Sequence, residues 1–170
     1  GVRSFLKAHP AWRATIAPLT GSLDRAFGEG LTLEAIGAET RDTGGRQARG
    51  FFARHRDLFA AGLEGAGVEL VYDEAASREL AVGTRVHTFN LHKDGLKVLG
   101  AGLTLGLKEN QVILIASRAL GPVTASTRPK LDAAGAIAAL GRWVLTQGGQ
   151  LPALTSSREP ALAIYPVVET

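Results

Sequence analysis

The sequence predicts an α+β fold: an antiparallel sheet packed against one long helix, followed by a smaller helix-plus-strand unit. Two observations carry this. Across residues 46–61, Ala48, Phe51, Phe52, His55, Leu58 and Phe59 recur at three- and four-residue steps, the period of a helix that buries one stripe. Beyond it, residues 84–91, 96–107 and 111–120 are apolar runs of strand length. Lys93-Asp94-Gly95, a hairpin turn signal, separates the first two, and Lys108-Glu109-Asn110, a short polar turn, separates the last two.

The other elements follow from local chemistry. Residues 2–8 suit a short helix, stopped at His9-Pro10 because the residue before proline is driven out of the helical region. In 12–17, Trp12, Ala14 and Ile16 alternate with Arg13 and Thr15, the pattern of a half-buried strand. Residues 31–36 return from that strand or lead into the next element. Residues 39–45 read as a polar connector, with Asp42 or Thr43 placed to cap a helix starting at Arg46. A break at 64–67 precedes a strand at 68–72, and 73–79 reads as a turn or a short helical excursion. Residues 123–129, rich in Thr, Ser and Pro, form the one stretch with linker composition. Asp132 then caps a helix whose Ile137, Leu140 and Val144 stripe is expected to face inward, with Leu131 placed as a hydrophobic staple. Gly148-Gly149 stops it, and a Pro/Ser loop leads to a strand opening at Ala161.

Composition narrows the possibilities. A chain of 170 residues can bury one good core or two small ones without staples. Hydrophobic residues make up 45% of it, yet no apolar run approaches the ~20 residues that span a bilayer. The first residues lack a basic stretch followed by a long apolar one, so no signal peptide is read there. With no methionine to initiate it, the chain reads as a processed or trimmed piece of a longer product. The absence of cysteine excludes disulfides, thiolate zinc sites and cysteine nucleophiles. The net charge is +3 and the pI about 9.6, but basic residues alternate with acids, as in Arg54-His55-Arg56-Asp57. No dense stripe follows a phosphate backbone, and two Tyr and two Trp offer little stacking surface, so nucleic acid is not an expected partner.

Catalytic and metal-binding patterns are missing as well. The four histidines, His9, His55, His87 and His92, include no His-Glu-x-x-His pair. His87 and His92 lie an odd number of residues apart on one strand and so on opposite faces. His55 sits on the apolar stripe of its helix, the position of a packing residue. No serine lies in a Gly-x-Ser-x-Gly elbow. The glycines of Gly100-Ala-Gly102-Leu-Thr-Leu-Gly106 sit inside a strand pattern, where they permit bulges or close backbone approach rather than dinucleotide binding. Gly44-Gly45-Arg46, ahead of a helix, could in principle receive an anion but reads more simply as a connector. Asp73-Glu74, the only paired carboxylates singled out, reads as a solvated turn. The expectation is therefore no catalytic residue, no metal and no cofactor in this chain.

At this point a family resemblance becomes visible. The helix FFARHRDLF, the strand VHTFNLHKDGLKVLGAGLTL and the strand KENQVILIASRAL follow in the order of the fungalysin/thermolysin-type propeptide domain, which this chain resembles. Phe52, Leu58 and Phe59 match its helix. Phe89 and Gly95 keep its spacing, and Val98 with Gly100 matches its next step, whereas Leu91 and Lys93 stand where the family usually has Gln and Tyr. Residues 12–31, with Thr20-Gly21 at a turn and Gly28 and Gly30 after it, resemble the family's leading hairpin. Leu131 to Leu140 and Ala161 to Pro166 resemble the helix and first strand of a PepSY domain, so the division read is 1–122 and 123–170. PepSY units continue past that strand with a partner strand, so here the strand needs a partner from another chain or from another element of this one.

The resemblance implies the propeptide of a secreted thermolysin- or fungalysin-like zinc metalloprotease, acting as folding chaperone and inhibitor of that protease domain. The partner would be the cognate catalytic domain, which would hold the zinc, and the location would be extracytoplasmic, with no membrane partner. The family's inhibitory segments lie near the propeptide C-terminus. The contact candidates are accordingly Leu162, Ala163, Ile164, Tyr165, Pro166, Val167 and Val168. The alternative readings are a free-standing secreted protein-binding or inhibitor module, and an envelope structural domain.

Overall fold

A computed structural model describes residues 1–18, 20–33, 41–59, 63, 65–109, 111–118, 122–124, 126–148 and 161–165, with 41–44 described as backbone only. Its elements are α1 (Val2–Ala8), β1 (Arg13–Ile16), β2 (Leu23–Thr32), α2 (Arg41–Arg54), a 3₁₀ turn (Arg56–Leu58), β3 (Val68–Tyr72), β4 (Arg78–Ala81), β5 (Thr84–Lys93), β6 (Leu96–Lys108), β7 (Gln111–Ser117) and α3 (Ala133–Thr146). The strands form one seven-stranded antiparallel sheet in the order β1-β2-β7-β6-β5-β3, with β4 also paired to β5.

Two expected hairpins are present, one read from turn chemistry at Asp94-Gly95 and one implied by the family resemblance at Thr20-Gly21. Gly21 turns β1 into β2 at φ +66°, and Asp94 and Gly95 turn β5 into β6 at +49° and +79°. Positive φ at both central residues matches the right-handed twist of the strands they join. Gly28 lies where a Cβ would stand 2.6 Å from Trp12 Cγ, so its missing side chain is what lets the buried indole close over β2.

One face of the sheet carries the core. Leu23 and Ala26 of β2, His87 and Phe89 of β5, Leu103, Leu105 and Leu107 of β6 and Val112 and Ile115 of β7 are all buried. Ala48, Phe51 and Phe52 of α2 join the same cluster. Phe52 stands edge-on to Phe89 with ring centroids 5.4 Å apart, Phe59 meets Phe52 at 5.6 Å, and the Arg49 guanidinium lies 5.7 Å above the Phe89 ring. Each edge-to-face pair adds about 0.5–1.5 kcal/mol beyond the area it buries. Phe5 of α1 meets Trp12 at 5.5 Å and closes the cluster's other end.

Several expectations are corrected. Helix α2 begins at Arg41, not Arg46, and hands over at His55 to a 3₁₀ turn instead of continuing to residue 61; residues 60 and 61 lie outside the described set. Asp42 and Thr43, expected ahead of the helix, therefore fall inside it. Gly44-Gly45 is no helix N-terminus, because Gly45 is buried within the helix, its Cβ position 3.5 Å from the Tyr72 ring. At the other end, i→i+3 bonds from Leu58 N to His55 O and from Phe59 N to Arg56 O tighten the last turn, after which Phe59 is extended.

Trp12, just ahead of β1, is buried and Ala14 half-buried, but Ile16 is exposed because a register shift between Thr15 and Ile16 breaks the alternation. Arg78 and Glu79, expected at the end of a turn or short helical excursion over 73–79, instead open β4, which pairs with β5 through Ala81 and is exposed at all four residues. The stripe of α3 does not face inward: Ile137 and Leu140 are 48% and 47% exposed, Trp143 is 61% exposed, and no residue of the helix is buried. The helix is apolar nearly all round, Arg142 being its one charged residue, and no described element lies over it closely enough to bury a face. Its N-terminus is as expected, with Asp132 Oδ1 accepting from Gly135 N at 2.7 Å and Leu131 lying over Gly135.

Candidate functional site

Residues 162–165, the described part of the predicted contact segment, are held by β6 through Ile164. Beyond Ser117 the strand β7 leaves β6, so the backbone of Lys97–Leu99 has an edge to offer. Ile164 takes it in a parallel bridge with Val98: Leu99 N donates to Ile164 O at 2.8 Å, and Ile164 N donates to Lys97 O at 2.9 Å. The Ile164 side chain is buried with Leu91, Val98 and Ala101 in a second small core. On either side, Leu162 is 52% and Tyr165 76% exposed, and Ala163 is half-buried. Pro166, Val167 and Val168 lie outside the described residues. Of the two partners envisaged for this strand, the one observed is a different element of the same chain. Val123 and Thr127 are tied to the same end of the sheet, where Thr127 Oγ1 donates to Asp94 Oδ2 at 3.0 Å and Val123 packs against the second core.

The residues that carry the family resemblance occupy structural positions. Phe52, Leu58, Phe59 and Phe89 share the main core, and Val98 anchors the second. Gly95 and Gly100 adopt positive φ, +79° at the hairpin and +75° within β6. Gly102 lies where a Cβ would be 2.2 Å from Phe89 O, so β5 and β6 approach there only because the side chain is missing.

The histidines are dispersed. His87 is fully buried, its Nδ1 3.1 Å from Tyr72 Oη; burial lowers its pKa, and Arg85 lowers it further. His55 stacks on Phe51 at 4.4 Å and meets Phe5 at 5.9 Å. Its pKa is lowered, chiefly by burial, with Asp57 opposing and Arg54 and His9 adding to the shift. His9 lies against Phe5, and His92 Nδ1 is 3.2 Å from Gly95 O. Among the described residues no three His, Asp or Glu side chains gather as metal ligands. Asp73 belongs to a local turn, accepting from Ala76 N and Asn90 Nδ2, and these bonds hold its carboxyl below the usual range.

Two clefts lie outside these contacts. One, about 340 Å³, opens between α2 and β3, with Phe52 and Leu70 at its base and Arg49 and Arg56 at its rim. The larger, about 480 Å³, lies on the sheet face opposite α2, where Thr88, Asn90 and Thr104 form part of the floor and Arg25, Lys97 and Arg118 the walls. Sequence reading missed this second surface, because its cations are far apart in the chain and meet only through strand register.

No helix among the described residues is long and apolar enough to cross a membrane. No family model, curated protein or solved structure matches the chain.

Proposed function

We propose that this chain is the propeptide region of a secreted thermolysin- or fungalysin-like zinc metalloprotease, templating the folding of the catalytic domain and blocking its cleft. The observation that supports the reading is the placement of the resemblance residues. Phe52, Leu58, Phe59, Phe89 and Val98 supply buried apolar side chains and Gly95 and Gly100 supply positive φ, in the family's order along the chain. In this reading α2 packs on the sheet through Phe52 and Phe89, and α3 with the Ile164 strand forms the PepSY-like unit. A rigid sheet of this size offers a protease a preformed complementary surface, and such a template matters when the barrier to protease folding is high. The zinc and the catalytic groups belong to the partner domain, and the chain works outside the cytoplasm.

Within the contact segment, roles divide by exposure. Ile164 anchors the segment to β6, whereas Leu162 and Tyr165 are the side chains presented outward. A segment laid in a cleft contacts it through the side chains it leaves exposed. The test is inhibition in trans: the purified chain is added to the metalloprotease encoded in the same precursor, and peptide hydrolysis is followed. Leu162→Ala with Tyr165→Ala should weaken inhibition about 10-fold or more while leaving the melting temperature unchanged. Undiminished inhibition by this variant would remove the segment from the interface, and a wild-type chain that inhibits nothing would remove the propeptide reading itself.

A further inference from the structure

The sheet has two unlike faces. Opposite the core, strand register sets Arg25, Ala116, Thr104 and Thr88 in one row across β2, β7, β6 and β5. Asn90 and Gly102 pair in a second row, and Arg118 N donates to Gly102 O at 2.9 Å beside them. The side chains of the floor are small or absent: Gly102 has no room for a Cβ, Ala116 adds one methyl, and the Thr88 and Thr104 hydroxyls lie 3.5 Å apart. The outcome is a cleft of about 480 Å³ with a hydroxyl- and amide-bearing floor. Four strands spaced about 4.8 Å apart make a floor roughly 14 Å wide, the length of about four extended residues.

The walls of this cleft carry its charge. Arg25, Lys97 and Arg118 are exposed and make no ion pair among the described residues. Asp24, the one carboxylate in the lining, already accepts from Thr15 Oγ1 at 3.1 Å. We propose that this outer cleft docks an extended, carboxylate-rich segment of a partner protein. The Thr88 and Thr104 hydroxyls meet the peptide groups of the segment and the three cations meet its carboxylates, while Asn90 Nδ2 stays bonded to Asp73 Oδ2 at 2.7 Å. A nucleic acid strand fits less well, because it would set phosphates beside Asp24 and find no exposed aromatic ring in the lining on which to stack a base. The proposal does not depend on the partner being a protease.

The test uses the full chain, ¹⁵N-labelled, titrated with hexaglutamate and, separately, with hexalysine and oligothymidylate. The expected result is a hexaglutamate-dependent shift of the amides of Thr88, Asn90, Gly102, Thr104 and Ala116. It should weaken as salt rises through the range where the Debye length falls below about 8 Å. Replacing Arg25, Lys97 and Arg118 together by Gln should abolish it, and Lys97→Gln alone should weaken it about 3-fold or more, which carries the test if the triple variant fails to fold. The proposal is overturned by any of three results: hexaglutamate shifts none of these amides or acts instead at Arg49 and Arg56, the response survives Lys97→Gln unchanged, or oligothymidylate binds the cleft more tightly than the peptide.

Discussion

At Gly102 a Cβ would sit 2.2 Å from the carbonyl oxygen of Phe89, a backbone atom that cannot step aside alone. Gly102→Ala is therefore expected to cost about 1–3 kcal/mol, as overpacking does, measured as a lower urea midpoint. His87 gives a pH-dependent counterpart. Its pKa is lowered by burial and by Arg85, and that of His55 is lowered chiefly by burial, so the folded protein favours both neutral imidazoles. Between the lowered folded values and an unfolded value near 6.5, the unfolded chain binds more protons. Stability from these groups is complete above that unfolded value and is lost as pH falls through the folded ones. Urea midpoints should thus decline from about pH 7 to pH 5, and His87→Gln should flatten the decline. An equally steep profile in that variant would assign the acid sensitivity elsewhere.

Elements with a strong local signal were legible in the chain, and the remainder depended on partners distant in sequence. Asp94-Gly95 announces its hairpin because only residues tolerant of positive φ suit that turn, and Asp132 announces α3 because a carboxylate can bond the orphan N–H groups. Helix α2 was recognised from Ala48, Phe51 and Phe52, but its start was not, since polar residues fit both a connector and a first helical turn. Strand β4 was invisible: every residue is exposed, and only its pairing with β5 makes it a strand. The stripe on α3 misled because periodicity reports which residues could be buried together, not whether anything covers them. Truncation separates these cases. Phe52→Ala should cost about 3–5 kcal/mol, while Trp143→Ala, on the exposed helix, should stay within about 0.5 kcal/mol by thermal unfolding. Asp132→Ala should cost about 1 kcal/mol, read as faster amide exchange in the first turn of α3.

On the scale of the whole molecule, the arrangement is a sheet with one face filled by its own core and the other face open among the described residues, closed at one end by the docked Ile164. Of the expected contact residues 162–168, the described ones are 162–165, and their attachment to β6 was not legible because it required an edge that β7 vacates beyond Ser117. The charged outer cleft was not legible at all, because Arg25, Lys97 and Arg118 converge only once the register of β2, β7 and β6 is set. The claim at the centre of this account is the proposal that one surface of this sheet templates and restrains a zinc metalloprotease. The most direct measurement is refolding of the denatured catalytic domain of the same precursor, with and without this chain added in trans, followed by peptide hydrolysis after the chain has been digested away. The account predicts a recovered activity about 10-fold or more higher with the chain present, reduced to the unaided level by Phe52→Ala, which weakens the core beneath the templating sheet. Equal recovery with and without the chain would contradict it.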